Sequence, residues 1–341
     1  MRRARASDEA AVIEFASDTW DGWDYIPHAW PVWLEARDGV VLVACRPDDD
    51  TPIALTRIAL VSQTEAWLEG IRVHPQLRGL EVASDLQVAE LQWAAAQGAN
   101  VIRYATSARN EGSHRLGARH GIELLFELRN YWWSPDPDND PDDPSAFDPA
   151  VRAAATALRG RVLDALAAEG HVASPADTDR LWHIVAGDAG FLAAHRLYEP
   201  RPWALGELTA ERFARHVERG EVIANSNANA SAVAILTREQ FAGEDSSLRL
   251  ALLVGEPESV IALVERLRSI VDRTVRFRVP EDDPRAPDLH ERLVAAGYRS
   301  PDFRLHILGR PIDDEYPIPP VDQTRVVLGD EPQPIVEPLA F

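Results

Sequence analysis

The stretch over residues 134–149, SPDPDNDPDDPSAFDP, is the feature that most restricts how this chain can fold. Its prolines lack a backbone amide donor and its aspartates repel one another, so it cannot form a packed helix or strand. It separates two parts of the 341-residue chain that are each long enough to bury a hydrophobic core. We therefore predict two domains, over residues 1–133 and 151–310, joined by a linker at 134–150. A second proline-rich, acidic stretch at 311–341 is predicted to lie over the surface as a tail.

Charge and cysteine content exclude several classes of protein. The net charge of -20 argues against binding to nucleic acid or to an anionic membrane, because both attract basic surfaces. The single cysteine, Cys45, cannot form an internal disulfide, and its apolar neighbours indicate a buried strand residue rather than a nucleophile. We see no signal peptide, no apolar run typical of a membrane span and no cluster with metal-ligand spacing. These features predict a cytoplasmic protein that holds no metal.

The first part of the chain alternates between helical and strand patterns. The predicted helices lie at residues 7–20, 27–37, 82–97 and 112–119. The predicted strands lie at residues 40–46, 53–61, 66–73, 101–106 and 122–130. Antiparallel hairpins come first and a βαβ crossover follows, which predicts an α/β fold with a mixed sheet and helices on both faces.

The second part repeats a similar order with weaker signals. Helices are predicted at residues 188–197, 209–219, 257–271 and 288–296. Strands are predicted at residues 181–185, 222–224, 232–236, 248–254, 273–279 and 303–308. The phrase LHERLVAAGY at 289–298 echoes SHRLGARHGI at 113–122. We interpret this as an internal duplication rather than as an unrelated α/β partner.

Residues 67–84, WLEGIRVHPQLRGLEVAS, carry the clearest chemical signal. A strand ends at Val73, a short turn contains Pro75, and a helix follows. The first amides of a helix point outward at the positive end of its dipole, so a polyphosphate can bind there. Arg78 adds positive charge and Gly79 lets the backbone approach an anion closely. An ordinary strand–turn–helix junction explains this segment, taken alone, equally well.

The segment resembles motif A of the GNAT N-acetyltransferases, in which Val-x-Pro precedes Arg-Gly-x-Gly-x-Gly/Ala and a helix. The residues at matching positions are Val73, Pro75, Arg78, Gly79 and Ala83. Glu81 stands in place of the middle glycine, where a carboxylate would repel a pyrophosphate. A second motif of the family, Asn-x-x-Ala/Ser…Gly-Phe, is similar to Asn110 to Ser113 followed by Gly121 and Ile122. The resemblance covers residues 1 to about 133 and implies a GNAT fold there, followed by a degenerate GNAT-like domain.

The resemblance implies acetyl-CoA as the co-substrate and assigns residues to it. Backbone groups of Ile71, Arg72 and Val73 would pair with the pantetheine arm. The pyrophosphate would lie against the turn and the helix start, at Arg78, Gly79, Leu80, Glu81, Val82 and Ala83, with Ser84 nearby. The second motif adds Asn110 and Ser113 to the cofactor-binding set. The corresponding turn of the second part carries Glu256 and Glu258, which would oppose a pyrophosphate, so acetyl-CoA is expected in the first domain alone.

Attack of an amine on a thioester requires a base, because the ammonium must lose a proton first. Glu69, Ile71 and Val73 alternate along one strand and are expected on one face. We predict Glu69 as the catalytic base, on the side where the family often places it. The alternative is a strand glutamate that faces solvent. The family's usual general acid is a tyrosine, which would fall at Gly117 and is absent. Tyr25 is a candidate to replace it.

A narrower resemblance lies upstream. The sequences WDYIP at 23–27 and LEGIRV at 68–73 are similar to segments of the histidine N-acetyltransferase-like proteins, which also have a second C-terminal domain. This implies that Asp24 pairs with a substrate ammonium and that Tyr25 stacks on a substrate ring. A helix cap and a core aromatic residue are the alternatives.

Together these features predict an acetyl-CoA-dependent N-acetyltransferase that acts on a small primary amine, with an amino acid as the candidate. Two alternatives stay open. One is acetylation of a protein amine. The other is a non-catalytic acyl-CoA-binding sensor, which Glu81 and the missing tyrosine favour. The expected partner is the small-molecule amine, and a homodimer stays open.

Overall fold

A computed structural model of the chain describes residues 1–17, 19, 24–136, 149–226, 231–236, 247–271, 273–313 and 317–318. The chain divides into two compact units, one of residues 1–124 with 308–340 and one that is formed mainly by residues 125–307. The first unit thus ends before residue 133, the predicted end of the first domain, and takes in chain from residue 308 onward. Most of the predicted linker and of the predicted tail lies outside the described residues.

The first unit is a mixed sheet with helices on both faces, as the sequence predicted. Its helices are α1 Glu9–Ala16, α2 Ile26–Glu35, α3 Val82–Ala96 and α4 Glu111–Arg119. Its strands are β1 Arg2–Arg3, β2 Gly39–Cys45, β3 Pro52–Leu60, β4 Glu65–Val73 and β5 Val101–Ser107. Neighbouring strands pair antiparallel from β1 to β4, and β4 pairs parallel with β5. The α3 crossover is what makes the parallel pair geometrically feasible.

Both faces of this sheet are covered, which explains why its strands read as nearly continuous apolar runs. Leu42 and Leu68 pack with Leu91 of α3 on one face. Val43 and Leu55 pack on the other face against α1 and α2, where Trp30 and Trp33 are buried. The sheet is therefore held from two sides, and its strands can position side chains rigidly.

The second unit has more helices and a more divided sheet than the sequence predicted. Its helices are α5 Pro149–Ala168, α6 Thr178–Gly187, α7 Ala189–Ala193, α8 Ala210–Glu218, α9 Pro257–Ile270 and α10 Ala286–Ala295. Its strands are most of β6 Glu123–Trp133, then β7 Leu197–Arg201, β8 Ala204–Glu207, β9 Val222–Ser226, β10 Ser231–Ile235, β11 Leu248–Arg249, β12 Leu252–Gly255, β13 Val275–Pro280 and part of β14 Arg304–Pro311. No helix in the described part of the chain is both long enough and apolar enough to cross a membrane.

Several predictions for the second unit are wrong. The predicted strand at 181–185 lies within α6, where Leu181 and Val185 are buried one helical turn apart. The predicted helix at 188–197 shortens to α7, because His195 and Arg196 take left-handed φ values of 53° and 61° and Leu197 then starts β7. The predicted strand at 248–254 is two strands. The first, β11, pairs with β13, and the second, β12, pairs with β10.

Candidate active site

A β-bulge in β4 determines which side chains face which side of the sheet. Leu55 of β3 is opposite Arg72, but Arg57 is opposite Glu69, so β4 contains one residue too many between them. Gly70 takes up the bulge with φ 74°, in the left-handed region that favours glycine. The extra residue reverses the alternation. Ile71 packs into the core that contains Leu68, whereas Glu69 contacts Arg57 over the ring of Trp33 on the opposite face. The prediction that Glu69, Ile71 and Val73 share one face is therefore wrong.

We expect Gly70→Ala to destabilise the first unit by roughly 1–3 kcal/mol. A methyl group at this position would lie 2.6 Å from the Trp33 ring, and alanine is strained at this φ. Gly98→Ala is the matched control, because Gly98 has φ 84° but open space around the added methyl group. Urea unfolding should therefore show a larger loss for Gly70→Ala. Equal losses would mean that only backbone strain matters and that contact with Trp33 does not.

Glu69 belongs to a buried chain of charges. Its carboxylate pairs with Arg57, whose Nη2 also lies 2.7 Å from Asp38 Oδ1. Burial opposes the charge of Arg57, but the two carboxylates outweigh this and raise its pKa above its ordinary value. Two carboxylates on one guanidinium leave a net negative charge. The Glu69 side chain, at 15% exposed, is the more accessible of the two.

Asp24 does not stand ready to bind a substrate ammonium as predicted. Its side chain is fully buried, and it holds Arg72 through bonds of 2.6 Å to Nε and 3.1 Å to Nη2. It also accepts a hydrogen bond of 3.0 Å from the Ile26 amide at the start of α2. Cζ of Arg72 lies 5.4 Å from the ring centroid of Tyr25. The rings of Tyr25 and Trp33 pack edge to face, with their centroids 5.8 Å apart. The buried pair fixes Arg72 on the same face as Glu69.

The turn between β4 and α3 offers donors and space to an anion. Gly79 has φ 80° with nothing within 4 Å of the position that a Cβ would take, and Leu80 is 62% exposed. Glu81 has φ 64° and makes no capping bond to α3. Its carboxylate pairs instead with Arg119 of α4, where both side chains are more than half exposed. The repulsion that the sequence suggested for Glu81 is therefore offset by this arginine.

The residues of the second motif hold α4 in place. Asn110 Oδ1 accepts a hydrogen bond of 3.2 Å from the Ser113 amide, and Asn110 Nδ2 donates to Thr106 Oγ1 at 2.9 Å. The carbonyl of Ser113 accepts a hydrogen bond of 3.0 Å from the Tyr104 hydroxyl. Asn110 thus serves as the helix cap.

Two features near this helix escaped the sequence analysis. Any side chain at Gly117 would collide with the hydroxyl of Tyr104, which explains why no tyrosine stands at that position. Burial raises the pKa of Tyr104 to about 12. Ser84, predicted near the pyrophosphate, has its hydroxyl 2.9 Å from Nε2 of His120, and burial lowers the pKa of that histidine. Nothing in the sequence spacing links these residues.

In the second unit, a side chain already occupies the corresponding turn. Asp188 Oδ2 accepts a hydrogen bond of 3.0 Å from the Gly255 amide, at the turn that precedes α9. Arg285 binds the same carboxylate oxygen at 2.9 Å and the Gly255 carbonyl at 3.1 Å. Within the described ranges, no group of three or more His, Cys, Asp or Glu side chains is placed to hold a metal.

Comparison with known proteins gives a family match within the first unit. The profile of the Acetyltransferase (GNAT) family matches residues 10–122. A histidine N-acetyltransferase of Xenopus tropicalis is 36% identical over 77 residues, which is 22% of this chain and 23% of that protein. The chain thus matches less than a quarter of the length of this curated relative.

Two solved structures align with about nine tenths of this chain. A putative acetyltransferase from Thermoplasma acidophilum is 13% identical with a TM-score of 0.46, covering 89% of this chain and 88% of that one. A GCN5-related N-acetyltransferase from Sphaerobacter thermophilus is 15% identical with a TM-score of 0.45, covering 91% and 94%.

Proposed function

Because this chain carries a domain of the acetyltransferase (GNAT) family over residues 10–122, we propose that the protein transfers the acetyl group of acetyl-CoA to a primary amine. The observation that carries the proposal is the turn before α3. Arg78, Gly79 and the start of α3 present charge, open space and backbone donors to a pyrophosphate. Backbone groups of β4 from Ile71 to Val73 would bind the pantetheine arm.

We propose an α-amino acid as the acceptor. The bulge puts Glu69 and Arg72 on the same face of β4. Arg57, which pairs with Glu69, lies over the ring of Trp33, and Arg72 lies over the ring of Tyr25. The Glu69 carboxylate would attract the ammonium of an amino acid. Nη1 and Nη2 of Arg72 donate one hydrogen each to the Ile71 carbonyl and to Asp24, and their second hydrogens would bind the carboxylate of the amino acid. The histidine N-acetyltransferase relative, which acts on an amino acid by its name, supports the same class of acceptor.

Within this proposal Glu69 is the base. It takes a proton from the ammonium, and the neutral nitrogen then attacks the carbonyl carbon of the thioester. The carbon–sulfur bond breaks as the amide forms, and the CoA thiolate leaves and takes up the second proton that the attacking nitrogen releases. Arg57 pairs with Asp38 as well as with Glu69, so it does not neutralise both carboxylates. The remaining negative charge allows Glu69 to accept the proton.

Release of free CoA from acetyl-CoA, measured with a panel of acceptors, tests the function and the class of acceptor together. Histidine and phenylalanine should be turned over, whereas histamine and phenethylamine, which lack the carboxylate, should react poorly. Equal rates for the decarboxylated amines would show that Arg72 does not recognise the acceptor, while the proposed acetyl transfer would still hold. Turnover with peptide amines alone would favour a protein acceptor. Tight acetyl-CoA binding without turnover of any acceptor would favour a sensor.

Arg78→Ala is expected to weaken acetyl-CoA binding by roughly 1.5–3 kcal/mol, the range for a charge-assisted hydrogen bond. The effect should appear in cofactor affinity and not in the rate at saturating cofactor, because Arg78 lies on the turn and not beside Glu69. Arg115→Ala is the control, since Arg115 is an exposed arginine of α4 that pairs with Glu111. Calorimetry that finds equal affinities for Arg78→Ala and the parent would show that the turn does not hold the pyrophosphate.

Acetyl-CoA is expected to bind with a stoichiometry of one per chain. In the second unit, Asp188 already accepts the hydrogen bond from the Gly255 amide, which is the donor that an incoming anion would need. Arg285 is shared by Asp188, Asp283 and Glu256, so the charge around this turn stays negative and repels a pyrophosphate. Calorimetric titration of the full chain measures the stoichiometry directly. A value near two would contradict the expectation.

A further inference from the structure

The end of α4 meets the start of α3 through one pair of side chains. Ser84 is the third residue of α3, and its hydroxyl lies 2.9 Å from Nε2 of His120, the residue that follows α4. The His120 carbonyl accepts a hydrogen bond of 2.7 Å from Nη1 of Arg310, and the His120 amide donates to the Gly117 carbonyl at 2.9 Å. The ring of His120 is therefore held beside the first turn of α3.

That first turn is where the pyrophosphate of acetyl-CoA would bind. The first intrahelical hydrogen bond of α3 runs from the Asp85 amide to the Glu81 carbonyl at 3.0 Å. The amides of residues 82–84 precede it, at the positions where a helix start presents its donors outward. An anion bound to these amides is adjacent to the Ser84 hydroxyl, because that hydroxyl and one of the amides belong to the same residue. The anion would therefore also lie close to the ring of His120.

The charged groups that act on the ring of His120 come from α4, β14, α3 and the turn before α3. Burial is the largest influence and lowers the pKa of the ring. Arg119 and Arg310 lower it further, whereas Glu81 and Asp85 act in the opposite direction. The pKa of His120 is thereby held below its ordinary value of 6.5, so the ring is uncharged at neutral pH in the free chain.

A phosphate group at the start of α3 would act on this ring as a further anion. Negative charge close to an imidazole favours its protonated form and so raises its pKa. A neutral ring can accept the Ser84 hydroxyl at Nε2, but both nitrogens of an imidazolium are donors. Nε2 of the protonated ring then donates to Ser84 Oγ, and the hydroxyl hydrogen of Ser84 becomes available to a phosphate oxygen. Protonation of His120 therefore adds a donor to the site as well as a positive charge.

We propose that His120, through Ser84, is a further residue of the acetyl-CoA site and that it takes up a proton from solvent when acetyl-CoA binds. This assignment rests on the proposed function, because it requires the pyrophosphate at the start of α3. His120 is not among the residues that the family resemblance assigns to the cofactor. A ligand that favours the protonated ring binds more tightly where protons are more plentiful, so His120 should make acetyl-CoA affinity rise as pH falls.

Calorimetric titration of the full chain with acetyl-CoA at pH 6 and pH 8 tests this, for the parent and for His120→Gln. The glutamine amide can still bond to Ser84 but does not titrate. The phosphomonoester of acetyl-CoA titrates at about pH 6, but its contribution is common to both proteins and cancels in the ratio of their affinities. We expect the ratio of parent affinity to His120→Gln affinity to be roughly threefold or more larger at pH 6 than at pH 8.

His28→Gln is the matched control, because His28 is an exposed histidine of α2, which packs on the opposite face of the sheet from α3. It should bind acetyl-CoA as the parent does at both pH values. A ratio that is the same or smaller at pH 6 would overturn the role of His120 alone, whereas a parent that does not bind acetyl-CoA would overturn the proposed function with it. If His120→Gln does not fold, NMR of the parent decides. The titration midpoint of the His120 ring protons should rise when acetyl-CoA is bound, and an unchanged midpoint would overturn the role of His120.

Discussion

Glu69→Gln is expected to reduce the rate of acetyl transfer by ~10²–10⁴-fold at neutral pH, the usual contribution of a general base. The amide keeps the shape of the side chain, and its oxygen can still accept the hydrogen bond from Arg57. It cannot take a proton from an ammonium. Acetyl-CoA affinity should barely change, because the backbone of β4 and not this side chain would bind the pantetheine arm. The loss should shrink as pH rises, since more of the acceptor amine is then already neutral.

Glu65→Gln provides the control for this rate measurement. Glu65 lies on the same strand and is also paired with an arginine, Arg103, at 2.6 Å. Its substitution should leave turnover within a fewfold of the parent rate, even if stability falls. If Glu69→Gln behaves in the same way at neutral pH, Glu69 is an ordinary strand residue. Deprotonation would then belong to bulk water or to another group.

Glu90→Gln is expected to stabilise the first unit, and more strongly as pH rises. Glu90 of α3 is 1% exposed and accepts a hydrogen bond from the Thr56 hydroxyl, with Gln87 Nε2 at 3.5 Å from its other oxygen. Burial without a neighbouring cation among the groups that act on it raises its pKa from 4.5 to about 8. Replacing a buried neutral carboxyl by an amide of nearly the same shape should cost little stability.

The sign of the pH dependence follows from linkage. Below pH 4.5 the carboxyl is protonated in the folded and the unfolded chain alike, and its contribution to stability is fully present. Between pH 4.5 and about 8 the unfolded chain releases this proton while the folded chain keeps it, so stability falls as pH rises. At about 1.4 kcal/mol for each unit between the two pKa values, the loss reaches on the order of 5 kcal/mol by pH 8. Glutamine does not titrate and avoids this loss.

Urea unfolding of the parent and of Glu90→Gln at pH 5 and pH 8 measures the effect, because the other titrating groups cancel in the difference. The gap between the two free energies of unfolding should widen by a few kcal/mol toward pH 8. Glu111→Gln removes an exposed carboxylate of α4 and should show no such widening. A gap that is the same at both pH values would mean that the folded chain holds Glu90 ionised.

Local signals in the sequence predicted the elements of the first unit well. The helix predicted at 82–97 is α3 Val82–Ala96, and the strand predicted at 66–73 is β4 Glu65–Val73. Helical and strand periodicity are properties of neighbouring residues, so they can be read directly. The same signal misled at 181–185, because a short apolar run fits a buried helix as well as a strand. Helix α5 follows directly after the proline-rich stretch and was not predicted.

The interior of the site could not be predicted, because its contacts join distant parts of the chain. Asp24 and Arg72 are 48 residues apart, and Glu81 and Arg119 are 38 residues apart. Which carboxylate finds which arginine depends on the packing of helices against the sheet, and no spacing rule encodes it. Gly70 was visible in the sequence, but the bulge that it enables depends on the register of β3 and β4.

The bulge at Gly70 divides β4 into two segments whose patterns of substitution are out of phase. Before it, the even positions Ala66 and Leu68 face the α3 core, and after it the odd positions Ile71 and Val73 do so. A complete substitution scan of the strand should therefore show intolerance to charge at 66 and 68, and then at 71 and 73. A search for strict alternation across residues 65–73 would combine the two patterns, which are shifted by one residue, and would detect no alternation. Sequence periodicity therefore indicates two short segments here, although β4 is one continuous strand.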